Sequence, residues 1–208
     1  VVRRPCLLGH LLAGAPGEAA LITFDASPYY LFHPAAPQRV AALYPDMKLI
    51  ALLRDPVDRA YSHYSHNRQS TAEKLSFEDA IRAEDQRLAG EEAKLLGSDR
   101  AHSYNHRQFS YLARGCYADQ LERWLHYFPR ENLLVIESEA MFRNPQEVFR
   151  TVLDFVGLEM GGTYRYEVYN PGRYADTLSA ETRAELQAYF RPHNERLNQL
   201  LGQRFSWS

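Results

Sequence analysis

The chain has 208 residues, of which 45% are hydrophobic and 24% charged, and its formal net charge is −2 at pH 7. That length builds one substantial core, the composition excludes a disordered chain, and the near-neutral balance excludes a general nucleic-acid binder, so any basic site has to be assembled locally. Two cysteines, Cys6 and Cys116, permit at most one disulfide; neither sits at metal-ligand spacing, and both read as free thiols.

In chain order, Ala20–Thr23 is expected as a strand, Gln38–Tyr44 as a short helix and Lys48–Leu53 as a central strand. The unbroken apolar run Leu49-Ile50-Ala51-Leu52-Leu53 suits a parallel sheet covered on both faces. A helix follows at once. Asp55 is placed to cap it, Pro56 fits its first position and Asp58 complements the dipole in its first turn. Free N–H groups at that helix start, with Arg54 beside them, would suit phosphate or sulfate. By spacing alone, the plainer reading is that Arg54 pairs with a surface acid and Ser62 is solvated. Along the helix, Val57, Tyr61 and Tyr64 share one face, and Asp58, Ser62 and His66 another, with His63 off that second face. Arg59 and Arg68 read as solvated cations of secondary interest.

Ser76 and Asp79 form a capping-box pattern for one helix over Phe77–Leu88. The polar, weakly periodic stretch Gly90–Arg107 reads as a mobile loop. Tyr117, Leu121, Trp124, Leu125 and Phe128 give a helical stripe, followed by Pro129 and a strand at Leu133–Ile136. Phe149, Val152, Leu153 and Val156 give another, ended by Gly157. A last helix begins near Ser179. No run approaches the roughly 20 apolar residues of a membrane span. One domain over 1–208 is the simplest organisation.

The segment RDPVDRAYSHY, Arg54–Tyr64, resembles the 3′-phosphate-binding motif of sulfotransferases that use 3′-phosphoadenosine 5′-phosphosulfate (PAPS). It is closest to the carbohydrate branch, which includes the heparan sulfate N- and 3-O-sulfotransferases, in a bacterial type. FDASPYYLFHP and PQRVAALYPDMKLI precede it, and RGCYADQLERWLHYFPRENLLVIESEAMFRNP, NPGRYADTLSAETRAELQAYFRPHNERL and RFSW follow it, in family order, so the likeness covers Leu21–Trp207. It implies an α/β three-layer fold with a parallel sheet, related to P-loop nucleotide kinases. It also implies sulfuryl transfer from PAPS to a hydroxyl or amine, with a glycan or small molecule as acceptor, no metal and no nucleic acid.

By the same resemblance, Arg54 and Ser62 bind the cofactor's 3′-phosphate, and Asp25, aligned with the family's catalytic glutamate, is the acceptor base. His66, one turn beyond Ser62, is a candidate donor to the sulfate or acceptor. Gly172, Arg173 and Tyr174 match the Lys-Gly-Arg loop that closes over the cofactor, with Pro171 in place of its lysine. Asp25 is one methylene shorter than glutamate, and Ala26 stands where the family has a lysine.

The family's glycine-rich, lysine-bearing 5′-phosphosulfate loop has no counterpart: GHLLAGAPGEAA contains no lysine and follows no strand. The expectation is therefore a sulfotransferase domain lacking its first strand and loop. The C-terminal cysteine pair of lumenal relatives is also missing from Met160–Thr177, which points to a reducing, cytoplasmic setting. A non-catalytic module binding nucleotide or sulfated glycan, and a P-loop kinase-like phosphotransferase, are the alternatives.

Overall fold

The computed structural model describes residues 23–162, 164–166 and 178–208. Its sheet is a parallel pair, β1 (Leu49–Leu53) and β2 (Leu133–Glu137), in register from Leu49 opposite Leu133 to Leu53 opposite Glu137. Helices fill the long connection between the strands and the chain beyond them, as an α/β fold requires.

The helices in chain order are α1 (Ala36–Leu43), α2 (Pro56–Gln69), α3 (Phe77–Arg82), α4 (Glu84–Leu88), α5 (Glu91–Leu96), α6 (Tyr104–Gln108), α7 (Tyr117–Leu125), α8 (Ser138–Arg143), α9 (Pro145–Val156) and α10 (Ala180–Leu201). The expected starts and stops are found where local chemistry writes them. Ser76 accepts the Asp79 N–H at 3.2 Å, Ser179 accepts the Thr182 N–H at 3.0 Å, and Gly157 closes α9 at φ 81°.

Three linked cores hold the elements. Leu53 of β1 and Val135 of β2 pack with Leu121 of α7, Leu197 of α10 and Phe205. Val57 and Ala60 of α2 pack with Phe77, Tyr111, Leu186 and Phe190, with Tyr61 and Tyr64 against them, so the apolar face read from the sequence is the buried one. Trp124 and Phe128 close over Ala36.

Three expectations need correction, and a fourth falls almost wholly outside the described residues. The apolar run of β1 is not covered on both faces: Ile50 and Leu52 are 39% and 51% exposed, while Leu53 is 1% exposed. The helix expected over Phe77–Leu88 breaks at Ala83, where Glu84 turns into the interior and accepts the N–H groups of Leu112 and Ala113 at 2.7 and 2.8 Å. The stretch Gly90–Arg107 is built rather than loose. Gly90, at φ 75°, starts α5, whose Leu95 is 1% exposed, and Ser103 caps α6 by accepting the His106 N–H at 2.9 Å. The strand expected at Ala20–Thr23 lies outside the described residues except for Thr23, which is not in a strand.

Candidate functional site

The site is organised by the passage from β1 into α2. Leu53 anchors the end of β1 in the core, so Arg54 leaves the sheet at its C-terminal edge, where ligands of open α/β sheets bind. Three contacts hold the backbone there. The Tyr117 hydroxyl of α7 donates to the Arg54 carbonyl at 2.9 Å, the Asp55 N–H donates to Glu139 Oε1 at 3.1 Å, and Asp55 Oδ1 accepts the Val57 and Asp58 N–H groups at 2.8 and 3.2 Å.

That cap sharpens the expectation of an anion site. Two of the N–H groups at the helix start are already bound by the chain's own carboxylate, whose proton affinity is raised, chiefly by burial. An anion at this junction must therefore be gripped by side chains. Arg54 and Ser62, both half-buried, supply a guanidinium and a hydroxyl on this junction and the helix it opens. Asp58 is paired with Arg183 of α10 at 2.8 Å, which ties the last helix to α2. His66 lies exposed on α2.

Beneath the same helix lies a cationic cluster. Arg59 is not a solvated surface charge: its guanidinium donates to the Tyr111 carbonyl, and its Nε is enclosed without a hydrogen-bond partner among the described residues. Arg114 Nε and His63 Nδ1 are enclosed in the same way, and the Arg114 guanidinium lies 5.2 Å from the ring centroids of both Tyr29 and Phe32. Burial, with Arg114 and Arg59 nearby, depresses the His63 imidazole to about 2, so it is neutral and unsuited to donate a proton at ordinary pH. Arg114 falls to about 10, mainly through burial, and remains a cation. Glu84 is the neighbouring counter-charge; burial raises it to about 7 against the pull of the two N–H groups it accepts.

Asp25 is exposed, and its carboxylate accepts a hydrogen bond from Tyr30 at 2.6 Å. That contact fixes the orientation of a side chain otherwise open to solvent. Gly172, Arg173 and Tyr174, together with Cys6, lie outside the described residues. An open cavity of about 190 Å³ borders the other side of the cap, lined by Asp55, Pro56, Val57, Phe190, Arg191 and Asn194 among others. Neither Arg54 nor Ser62 lines it, and it is smaller than the roughly 300 Å³ at which pockets for drug-sized ligands begin.

Thus Arg54 and Ser62 share one structural unit, while Asp25 comes from a separate segment. Sequence reading passed over Arg114 and Glu84 and underrated Arg59 and His63. Burial of a charge on an otherwise polar helix leaves no periodic mark; the only signal for Arg114 is its place before Gly115 in RGCYADQLERW. Among the described residues, no helix is long and apolar enough to cross a membrane.

Comparison with known proteins gives four concordant matches. The family model described as "Sulfotransferase domain" matches residues 30–181. Mouse heparan sulfate glucosamine 3-O-sulfotransferase 3B1 is 28% identical over 89% of this chain and 50% of its own length. Human bifunctional heparan sulfate N-deacetylase/N-sulfotransferase 3 is 32% identical over 86% of this chain and 22% of its own. The chain thus spans about half, or about a fifth, of the length of these curated relatives. The crystal structure of a sulfotransferase from Alicyclobacillus acidocaldarius superimposes with a TM-score of 0.75 at 31% identity, covering 99% of this chain and 74% of that one.

Proposed function

The chain belongs to the sulfotransferase domain family, and from that premise we propose that it serves PAPS-dependent sulfuryl transfer to a hydroxyl or amine of a carbohydrate. The observation that carries the reading is the β1–α2 junction. A half-buried arginine leaves the sheet beside a helix start whose own N–H groups are capped, and Ser62 follows on that helix. A guanidinium and a hydroxyl there suit a phosphate dianion, and the 3′-phosphate is what distinguishes this donor from ordinary adenine nucleotides. The carbohydrate acceptor is inferred from the named activities of the mouse and human relatives.

When bound, the donor supplies an activated sulfuryl group. In this reading Arg54 and Ser62 hold its 3′-phosphate, and Gly172, Arg173 and Tyr174 cover it. Asp25, oriented by Tyr30, takes the proton from the acceptor hydroxyl or amine as the new bond to sulfur forms and the bond to the phosphate oxygen breaks. His66 donates a hydrogen bond to the reacting group. The cations Arg59 and Arg114 raise the potential under α2 without touching the acceptor.

Calorimetry tests the assignment directly. 3′-Phosphoadenosine 5′-phosphate should bind much more tightly than 5′-AMP, and Arg54→Ala should erase most of that preference; equal affinities in the unaltered chain would reject the site. One alternative has a specific observation behind it: Ala26 and Pro171 stand where the family has lysines, as suits a module that binds nucleotide without turnover. Nucleotide binding of the expected selectivity, combined with no sulfate transfer from labelled PAPS to any glycan acceptor, would favour that module.

A further inference from the structure

We propose that Cys116, Asp119 and His193 form a binding site for a divalent transition metal of the zinc class, clamping α7 to α10. The ligand atoms of these three residues all lie within 4.8 Å of one another. Cys116 is the residue before α7, Asp119 lies three positions on along the same helical face, and His193 comes from the middle of α10, directly after Pro192. A thiolate, an imidazole and a carboxylate are the donors zinc prefers, and three of them leave a fourth position for water or the Tyr189 hydroxyl, which lies 4.0 Å from Cys116 Sγ.

With Zn–S of about 2.3 Å and Zn–N of about 2.0 Å, tetrahedral ligand atoms stand roughly 3.5 Å apart. The cluster must tighten by about 1 Å, a shift within reach of side-chain rotation at His193, which is half-buried, and Asp119, which is exposed. The thiol is the fixed point, since Cys116 is buried and its present contacts are long ones, to the Leu112 carbonyl at 3.8 Å and the Tyr189 hydroxyl at 4.0 Å. On coordination the thiol binds as thiolate and its proton is released to solvent. Arg196 competes for Asp119 but donates to one of its oxygens, and a carboxylate has a second with which to ligate. The same arginine also pairs with Glu122, so it keeps a partner if Asp119 turns to the metal.

The site is separate from the proposed nucleotide grip, yet both its helices reach that grip. Tyr117, adjacent to Cys116, holds the Arg54 carbonyl, and Arg183 of α10 holds Asp58. A metal at this position would brace the β1–α2 junction from behind.

The test uses the full chain carrying Cys6→Ser, so that any thiolate signal belongs to Cys116. Titration with cobalt(II) under reducing conditions should produce a thiolate-to-cobalt charge-transfer band that saturates at one equivalent and is displaced by zinc(II). Zinc alone should raise the melting temperature. His193→Gln, at a half-buried position that can be changed without opening the core, should weaken binding roughly tenfold or more. Cys116→Ser should abolish the band. Absence of the band in the Cys6→Ser chain, or a band of unchanged strength in both His193→Gln and Asp119→Asn, would overturn the site.

Discussion

The hydroxyl of Tyr117, at the start of α7, donates to the carbonyl oxygen of Arg54 at the end of β1, across 2.9 Å. Burial raises the phenol to about 12, so it stays a donor throughout the physiological range. One bond thus fixes the residue proposed to grip the 3′-phosphate to a helix more than sixty positions away. Tyr117→Phe removes the donor and leaves the ring packing intact. It should cost about 1 kcal/mol in urea unfolding at unchanged m-value. Affinity for 3′-phosphoadenosine 5′-phosphate should fall with it, whereas that for 5′-AMP should hardly change.

Gly115 is a packing requirement of the same corner. A Cβ placed there would stand 2.7 Å from Phe190 Cε1 and 3.1 Å from Pro56 Cβ. Phe190 is fully buried and cannot swing away. Gly115→Ala should therefore destabilise the chain by about 1–3 kcal/mol through overpacking, read as a lower melting temperature. An unchanged melting curve would show that the α2–α10 contact is looser than described.

Glu84 should leave a mark on stability against pH. Its folded value is raised from the ordinary 4.5 to about 7. Between those limits the native state holds a proton that the unfolded chain has already released, so unfolding sheds protons and stability falls as pH rises. The total is about 3 kcal/mol. His63 acts in the opposite sense, since a neutral folded imidazole loses stability as pH drops below its ordinary 6.5. Glu84→Gln separates the two. Measured by urea across this range, the unfolding free energy of the unaltered chain minus that of the variant should fall as pH rises from about 4.5 to 7, a difference in which the His63 contribution cancels.

Asp25 and His66 are open to a cleaner division of roles. Asp25→Asn keeps the shape and the hydrogen bond from Tyr30 while removing the base. Nucleotide affinity should persist, and turnover should drop by roughly a hundredfold or more. His66→Ala should also spare nucleotide binding, with its loss appearing in kcat. A variant of either kind that transfers label at the original rate would remove that residue from the mechanism.

The sequence alone determined the parts that are chemically local. The end of β1, the Asp55 cap, Pro56 at the first helical turn and the Val57-Tyr61-Tyr64 stripe are encoded within a few residues of where they act, because capping and periodicity depend on neighbours along the chain. The positions of Arg54 at the strand end and Ser62 on the following helix were legible for the same reason, whereas the role proposed for them came from family resemblance. Only the tertiary structure decided the burial of Arg59, the inward turn of Glu84 and the meeting of Cys116 and Asp119 with His193. Those depend on how α7 and α10 pack against α2. Packing joins residues far apart in sequence and sets the desolvation that shifts their charges, a quantity no spacing along the chain records.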